Sequence, residues 1–278
     1  MTGNELIDLE ITLLMEGIYQ VYGYDFREYS EASLRRRLLQ WLSGSGFASL
    51  SLAQSQLLRD HTLFDTLLRG ITVTVSDMFR DPAFFKAVRT QVVPYLKTYP
   101  FVKIWHAGCA SGDEAYSMAI ILLEEGMKGR FRIYATDINE EVIRKAQEGI
   151  YPLQDLQRFT RNYQSAGGKG SFSDYYTARY DHAILAQPLR DNIVFAAHNL
   201  AVDTNFGEMN LILCRNVMIY FKLPLKERVL ELFDNCLMPG GFLCLGTKEN
   251  LDHRKISDRY EAIMPRMQIY QKRYERSK

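Results

Sequence analysis

Cysteine is scarce in this sequence, and net charge is nearly absent. Four cysteines (Cys109, Cys214, Cys236 and Cys244) occur among 278 residues, and none forms a C-x-x-C pair. That argues against a zinc ribbon or disulfide frame, and reduced thiols in a reducing compartment are expected. Lys and Arg total 34 against 33 Asp and Glu, a formal charge of +1. Nucleic-acid binders are usually basic overall, so no nucleic-acid partner is expected. The best apolar run, Met118 to Leu123, stops at Glu124, far short of a membrane span. The opening MTGNELIDLE lacks the basic flank and apolar centre of a signal peptide. These absences predict a cytoplasmic protein without direct membrane insertion. No H-x-x-x-H or His/Cys pairing suggests a metal, so none is expected; His106 and His198 read as structural or pocket-lining. Internal repeats and low-complexity tracts are also lacking.

What is present is an ordinary globular composition, with 47% hydrophobic and 24% charged residues. Up to about Thr72 the patterns are helical. Ile11, Leu14, Met15, Ile18, Tyr19 and Tyr22 recur at three- and four-residue steps. Leu34, Leu38 and Trp41 repeat the pattern, as does Leu52 to Leu68. Breaks fall at Gly23 and the Ser43–Gly46 cluster. Residues 1–72 are therefore expected to form an N-terminal helical domain. From there, short β runs alternate with helices. Strands are expected at Val102–Trp105, Phe131–Ala135, Ile193–Ala197, Leu211–Cys214, Phe242–Leu245 and Met267–Lys272, with a turn at Pro239-Gly240-Gly241. Helices are expected at Asp113–Glu125, Glu140–Gln147 and Pro224–Cys236. Such alternation implies an α/β, Rossmann-like domain over 73–278 with a mostly parallel sheet. Residues 152–192 break the rhythm with a Gly-rich turn and two β-like runs, and read as a small inserted β-type subdomain.

Ligands of open parallel sheets bind at the carboxyl ends of strands, where the strand order reverses. The first strand runs into Ala107-Gly108-Cys109-Ala110-Ser111-Gly112 and then a helix. Small residues let backbone approach a ligand, and a helix start offers free N–H groups. Asp137 stands where a ribose-binding carboxylate is expected. The glycines depart from G-x-G-x-x-G, and Asp113 and Glu114 at the helix start would repel a pyrophosphate. Two acids suit a cationic cofactor without phosphate, such as S-adenosylmethionine. The plain alternative is a Gly-rich turn with a solvated acidic helix start.

Several segments, in order, resemble the CheR family of chemotaxis-type protein-glutamate O-methyltransferases. They are TVSDMFRD (Thr74–Asp81), WHAGCASGDEAYSMA (Trp105–Ala119), ATDINEEVIRKAQEGIY (Ala135–Tyr151), HNL (His198–Leu200), LCRNVMIYF (Leu213–Phe221) and LMPGGFLCLG (Leu237–Gly246). The resemblance implies cofactor contacts from Thr74, Ser76, Arg80, Glu114, Asp137, Asn199, Leu200, Asn216 and Val217, beside Ala107 and Gly108 of the small-residue loop. It implies S-adenosylmethionine as cofactor and S-adenosylhomocysteine as product. Departures are Thr74 for the usual Asn, Met78 for an aromatic, Ala115 for Pro, and Lys248 for Ser in Gly246-Thr247-Lys248-Glu249.

The implied reaction methylates glutamate side chains of chemoreceptors. A glutamate carboxyl, with a pKa of about 4.3, is already an anion at neutral pH, so the chemistry needs positioning and exclusion of water. Arg80, through its planar fork, and Tyr220, through its hydroxyl, are the candidates for that catalytic work. Their plain alternatives are a surface ion pair with Asp77 or Asp81, and a half-buried core aromatic. Arg35-Arg36-Arg37 on a helix is either a solvated face or, as the resemblance implies, the surface that engages acidic receptor helices. The partner expected is a chemoreceptor's cytoplasmic helices or a similar coiled-coil protein, met by a monomer. Two other readings are a non-catalytic S-adenosylmethionine-binding regulatory module and a small-molecule carboxyl methyltransferase.

Overall fold

A computed structural model describes residues 3–72, 76–251 and 256–274. The chain forms two compact units: Met1–Thr74 with Asn199–Asp203 and Tyr220–Val229, and the remainder.

In the first unit, helices α1 (Gly3–Tyr22), α2 (Glu31–Ser45), α3 (Leu50–Leu57) and α4 (His61–Ile71) enclose Leu14, Ile18, Phe26, Leu38, Phe64 and Leu67. The single run expected over Leu52–Leu68 is split in two. Asp60 accepts hydrogen bonds from the N–H groups of Thr62 and Leu63, and so starts a new helix there. A later stretch of chain is zipped onto this unit. Ser30 N–H donates to the Tyr220 carbonyl at 2.7 Å, Lys222 N–H donates to the Glu28 carbonyl at 2.8 Å, and the Tyr29 and Phe221 rings lie 4.9 Å apart.

The second unit opens with α5 (Pro82–Ala87), which passes through a π-helical turn at Val88–Val92 into α6 (Val93–Leu96). Then follow β1 (Val102–Ala107), α7 (Asp113–Glu124), β2 (Phe131–Asp137), α8 (Glu140–Glu148), β3 (Ile150–Pro152), α9 (Leu156–Ser165), β4 (Tyr176–Arg179), β5 (His182–Leu185), α10 (Gln187–Arg190), β6 (Ile193–Ala197) and β7 (Met209–Cys214). Helix α11 (Leu223–Cys236), whose first turns belong to the first unit, leads into β8 (Leu237–Leu245), β9 (Tyr260–Met264) and β10 (Ile269–Lys272). Seven strands form one sheet in the order β6-β2-β1-β7-β8-β10-β9. The first five are parallel, and β10 runs antiparallel to both neighbours. Every residue of β7 is buried, the mark of a central strand covered on both faces.

The sheet is thus Rossmann-like, as the alternating pattern implies, with three local differences. Strand β8 begins at Leu237 and carries Pro239-Gly240-Gly241 inside it, where a register shift against β7 absorbs the irregular residues. Strand β9 had no clear signal. Between β2 and β6, the strands β3, β5 and β4 make the separate antiparallel sheet of the expected inserted subdomain, and the difference there is the added helix α9. Its Leu156, Phe159 and Tyr163 repeat at helical spacing and are buried. Glu124 fastens this insertion to α7, accepting from the Tyr163 hydroxyl, the Tyr175 hydroxyl at 2.9 Å and Lys169 N–H at 3.0 Å.

Candidate functional site

The chain lays β2 on one side of β1 and later returns to lay β7 on the other. The carboxyl ends of β1 and β7 therefore flank the switch point, where ligands of such sheets bind. The loop leaving β1 is shaped by left-handed backbone at Gly108 (φ 79°), Ala110 (φ 47°) and Gly112 (φ 82°). Gly108 is also a contact point: a Cβ there would lie 2.4 Å from Val217 Cγ2, in the loop leaving β7. Ala107, the last residue of β1, is buried beside it. Asp137 ends β2 and is half-buried. One oxygen accepts from Ala110 N–H at 2.9 Å and the other from Asn139 N–H at 3.1 Å. Burial pushes its carboxyl above the usual range, and these amides oppose that shift. A carboxylate has about four lone-pair sites, so acceptor capacity remains for a ribose.

Behind the loops lies a buried charge network. Arg215, the first residue after β7, donates to Glu114 Oε2 at 2.8 Å and Asp81 Oδ2 at 2.9 Å, with its side chain 1% exposed. Its guanidinium lies 3.8 Å from the centroid of the Phe84 ring. His106 Nδ1 meets the other Glu114 oxygen at 3.3 Å. Burial favours the neutral acid at Glu114, but the Arg215 charge and the His106 contact outweigh it and bring its pKa to about 2. Glu114 is therefore an anion already engaged by the protein. Its neighbour behaves in the opposite way. Asp113 is 2% exposed, and burial raises its pKa to about 6 against hydrogen bonds from the Ser111 and Ser76 hydroxyls. The plain alternative of a solvated acidic helix start therefore does not hold: Asp113 is buried and Glu114 is paired.

The loop after β7 has its own support. The Glu249 carboxylate accepts from the N–H groups of Asn216 (2.9 Å), Val217 (2.9 Å), Ile219 (3.2 Å) and Gly246 (2.6 Å). Asn216 sits at φ 61°, a conformation L residues seldom adopt. Gly246 is the point of closest approach, since a Cβ there would fall 2.6 Å from Glu249 Oε2 and 2.8 Å from Asn216 N.

Arg80 lies in a turn between Phe79 (φ 52°) and Asp81 (φ 58°), and is exposed. The turn is anchored inward by Phe79 N–H donating to Ser117 Oγ at 2.8 Å. Helix α9 grips it from the other side: Arg158 donates to Asp77 at 2.9 Å and Asn162 to the Met78 carbonyl at 3.0 Å. Of the two acids considered as partners for Arg80, Asp81 accepts from Arg215 and Asp77 from Arg158. Thr74 lies outside the described residues.

The remaining expected residues belong to the first unit. The Tyr220 ring has the Arg37 guanidinium 5.5 Å from its centroid. Arg35 is committed to Asp8 and Asn4 on α1, and Arg36 is exposed. Asn199 accepts from Ala201 N–H at 3.0 Å in the turn after β6, and Leu200 is buried. Within the second unit, then, Ser76, Ala107, Gly108, Glu114, Asp137, Asn216 and Val217 are joined by direct contacts or shared loops. Sequence reasoning missed Arg215 and the role of Glu249. Both stood in quoted motifs, and Arg215 directly follows an all-apolar strand.

The donor set fits a phosphate-free nucleoside. Neither 107–112 nor 216–219 contains Lys or Arg, and the cation between them, Arg215, is held by two carboxylates. The chain belongs to the CheR methyltransferase family: its SAM binding domain matches residues 74–265 and its all-alpha domain residues 9–72. The second unit thus carries an S-adenosylmethionine-binding methyltransferase domain.

Among curated proteins, the chain is 48% identical over 272 residues to "Putative methyltransferase Cher3" of Pseudomonas putida, covering 98% of this chain and 100% of that one. It is 30% identical to "Chemotaxis protein methyltransferase 2" of Pseudomonas aeruginosa (86% of this chain, 85% of that one). It is 27% identical to "Chemotaxis protein methyltransferase" of Escherichia coli (89% and 86%). Among solved structures, the glycopeptide N-methyltransferase MtfA complexed with sinefungin aligns with a TM-score of 0.36 at 12% identity, over 62% of this chain and 50% of that one. Among the described residues, no helix is long and apolar enough to cross a membrane.

Proposed function

We propose that this protein transfers a methyl group from S-adenosylmethionine to glutamate side-chain carboxylates of chemoreceptors, releasing S-adenosylhomocysteine and leaving glutamate methyl esters. The observation that carries this reading is the linked set around Gly108, Glu114, Asp137 and Asn216 at the switch point. Relatives named chemotaxis protein methyltransferase, matched over 85% and 86% of their own length, support the substrate class.

Asp137 accepts from ribose hydroxyls, and the Asn216 side chain offers a paired donor and acceptor. The bare backbone of Ala107 and Gly108 admits the cofactor, with Ser76, Thr74, Val217, Asn199 and Leu200 completing its contacts. Glu114, oriented by Arg215, accepts from the cofactor's ammonium or a hydroxyl. The cofactor, when bound, supplies an electrophilic methyl carbon on a cationic sulfur. Arg80 holds the incoming carboxylate by its planar fork. Tyr220 hydrogen-bonds the same group. No general base is required, because glutamate is ionised at neutral pH. Arg36 is the α2 arginine exposed to meet an acidic receptor helix; Arg35 and Arg37 support that surface from their partners on the same unit. The protein is proposed to act as a cytoplasmic monomer, with no nucleic-acid partner and no membrane insertion of its own.

Incubation with tritiated S-adenosylmethionine and membranes from the source organism tests the reading. Base-labile label on a receptor-sized band is expected. Proven cofactor binding without any labelled band would overturn it.

A further inference from the structure

We infer that Glu249 is an internal anion that positions the Asn216–Ile219 turn for the cofactor. Successive backbone N–H groups that converge on one point form a concavity that ordinarily binds an external anion such as phosphate. Here the N–H groups of Asn216, Val217 and Ile219, with that of Gly246, converge on the Glu249 carboxylate. Oε2 takes Asn216 and Gly246, and Oε1 takes Val217 and Ile219. The protein fills this concavity with its own side chain, 7% exposed, reaching from the end of the adjacent strand β8.

Three features make the arrangement specific. Asn216 is held at φ 61°, in the left-handed region that Asn tolerates and most other L residues do not. Gly246 lacks the Cβ that would collide with both the carboxylate and the Asn216 amide. Glu249 also closes its own turn, its N–H donating to the Gly246 carbonyl at 2.9 Å. An amide in place of the carboxylate would turn an NH2 group toward backbone N–H donors on one side and lose those bonds. Because the concavity is already occupied, it is closed to a phosphate, which matches a cofactor that carries none. Glu249 touches no reacting atom; it is a positioning residue acting through Asn216 and Val217.

The inference rests on the cofactor reading and not on the receptor reading, so its test uses binding alone. S-adenosylhomocysteine is titrated calorimetrically into wild type, Glu249→Gln and Glu249→Ala, with thermal melts of each. In E249Q the dissociation constant is expected to rise at least tenfold, with stoichiometry near that of the wild type. In E249A, added formate is expected to occupy the vacated concavity and recover at least threefold of the lost affinity. A residue that merely stabilises the fold would instead lower the stoichiometry and the melting midpoint, with an unchanged dissociation constant in the folded fraction. That outcome, or wild-type affinity in E249Q, overturns the inference. Failure of the wild type to methylate receptors would strike the substrate reading and leave this one standing.

Discussion

Two loops meet at the switch point, and they reach their shapes by different means. The loop after β1 relies on residues with little or no side chain, Gly108, Ala110 and Gly112, to turn through left-handed conformations. The loop after β7 contains Asn216, Val217 and Ile219 and is bent by a carboxylate from the next strand over. The first loop is encoded within its own six residues. The second is encoded more than thirty residues away, in a glutamate whose hydrogen-bond partners among the described residues are backbone amides. Arg215 joins the two, with one end on Glu114 and the other on Asp81.

The largest way to break this pairing is Arg215→Met. Removing the buried Arg215 leaves the Glu114 charge uncompensated, which costs about 3 kcal/mol, the low end for a buried pair because Asp81 is 45% exposed. Urea unfolding should show a loss of that size; a loss below about 1 kcal/mol would mean the network contributes nothing net. Next comes Gly108→Ala, which meets Val217 at 2.4 Å and also strains the backbone. Overpacking and a left-handed non-glycine residue together cost about 2–4 kcal/mol. Combining it with Val217→Ala should recover the steric part and leave the backbone part. An equal loss in single and double variants would remove the contact between the loops from the account.

A smaller effect separates two neighbours at the helix start. Glu114 has a folded pKa lowered to about 2 from 4.5, so its contribution to stability is present above pH 4.5 and is lost as pH falls toward 2. Asp113 is raised from 3.8 to about 6. Between those values the folded protein binds more protons than the unfolded chain, so stability falls as pH rises across that window. Asp113→Asn should flatten that limb in melts taken from pH 3 to 7 and leave the acid limb from Glu114 unchanged. An unaltered slope in that variant would show that Asp113 titrates normally.

Much of the fold was legible because periodicity carries it: Ile193–Ala197 and the start of α7 at Asp113 coincide with their expected ends, and β1, β2 and β7 extend theirs by two residues each. Helix α9 was missed although Leu156, Phe159 and Tyr163 mark it, because a short helix beside a Gly-rich turn reads as irregular chain. Of the site, the loop Ala107–Gly112 and the terminal Asp137 could be read, since small residues and a strand-end acid are local signals. The network could not. A charged residue after a strand reads as solvated, and a glutamate bonded to four amides has no spacing rule to reveal it. The arginine row shows a further limit. Three consecutive residues on a helix point about 100° apart, so they cannot share one face. Arg35 turns to α1, Arg37 to Tyr220, and Arg36 outward.

The zipper between Glu28–Ser30 and Tyr220–Lys222 has a consequence for anyone recombining members of this family. The helical unit is not a cassette that ends at residue 72. A chimaera exchanged there would join one parent's Tyr29 to the other parent's Phe221, and a foreign Arg37 to the native Tyr220. Crossovers that carry 220–229 together with the N-terminal helices keep those pairs of common descent.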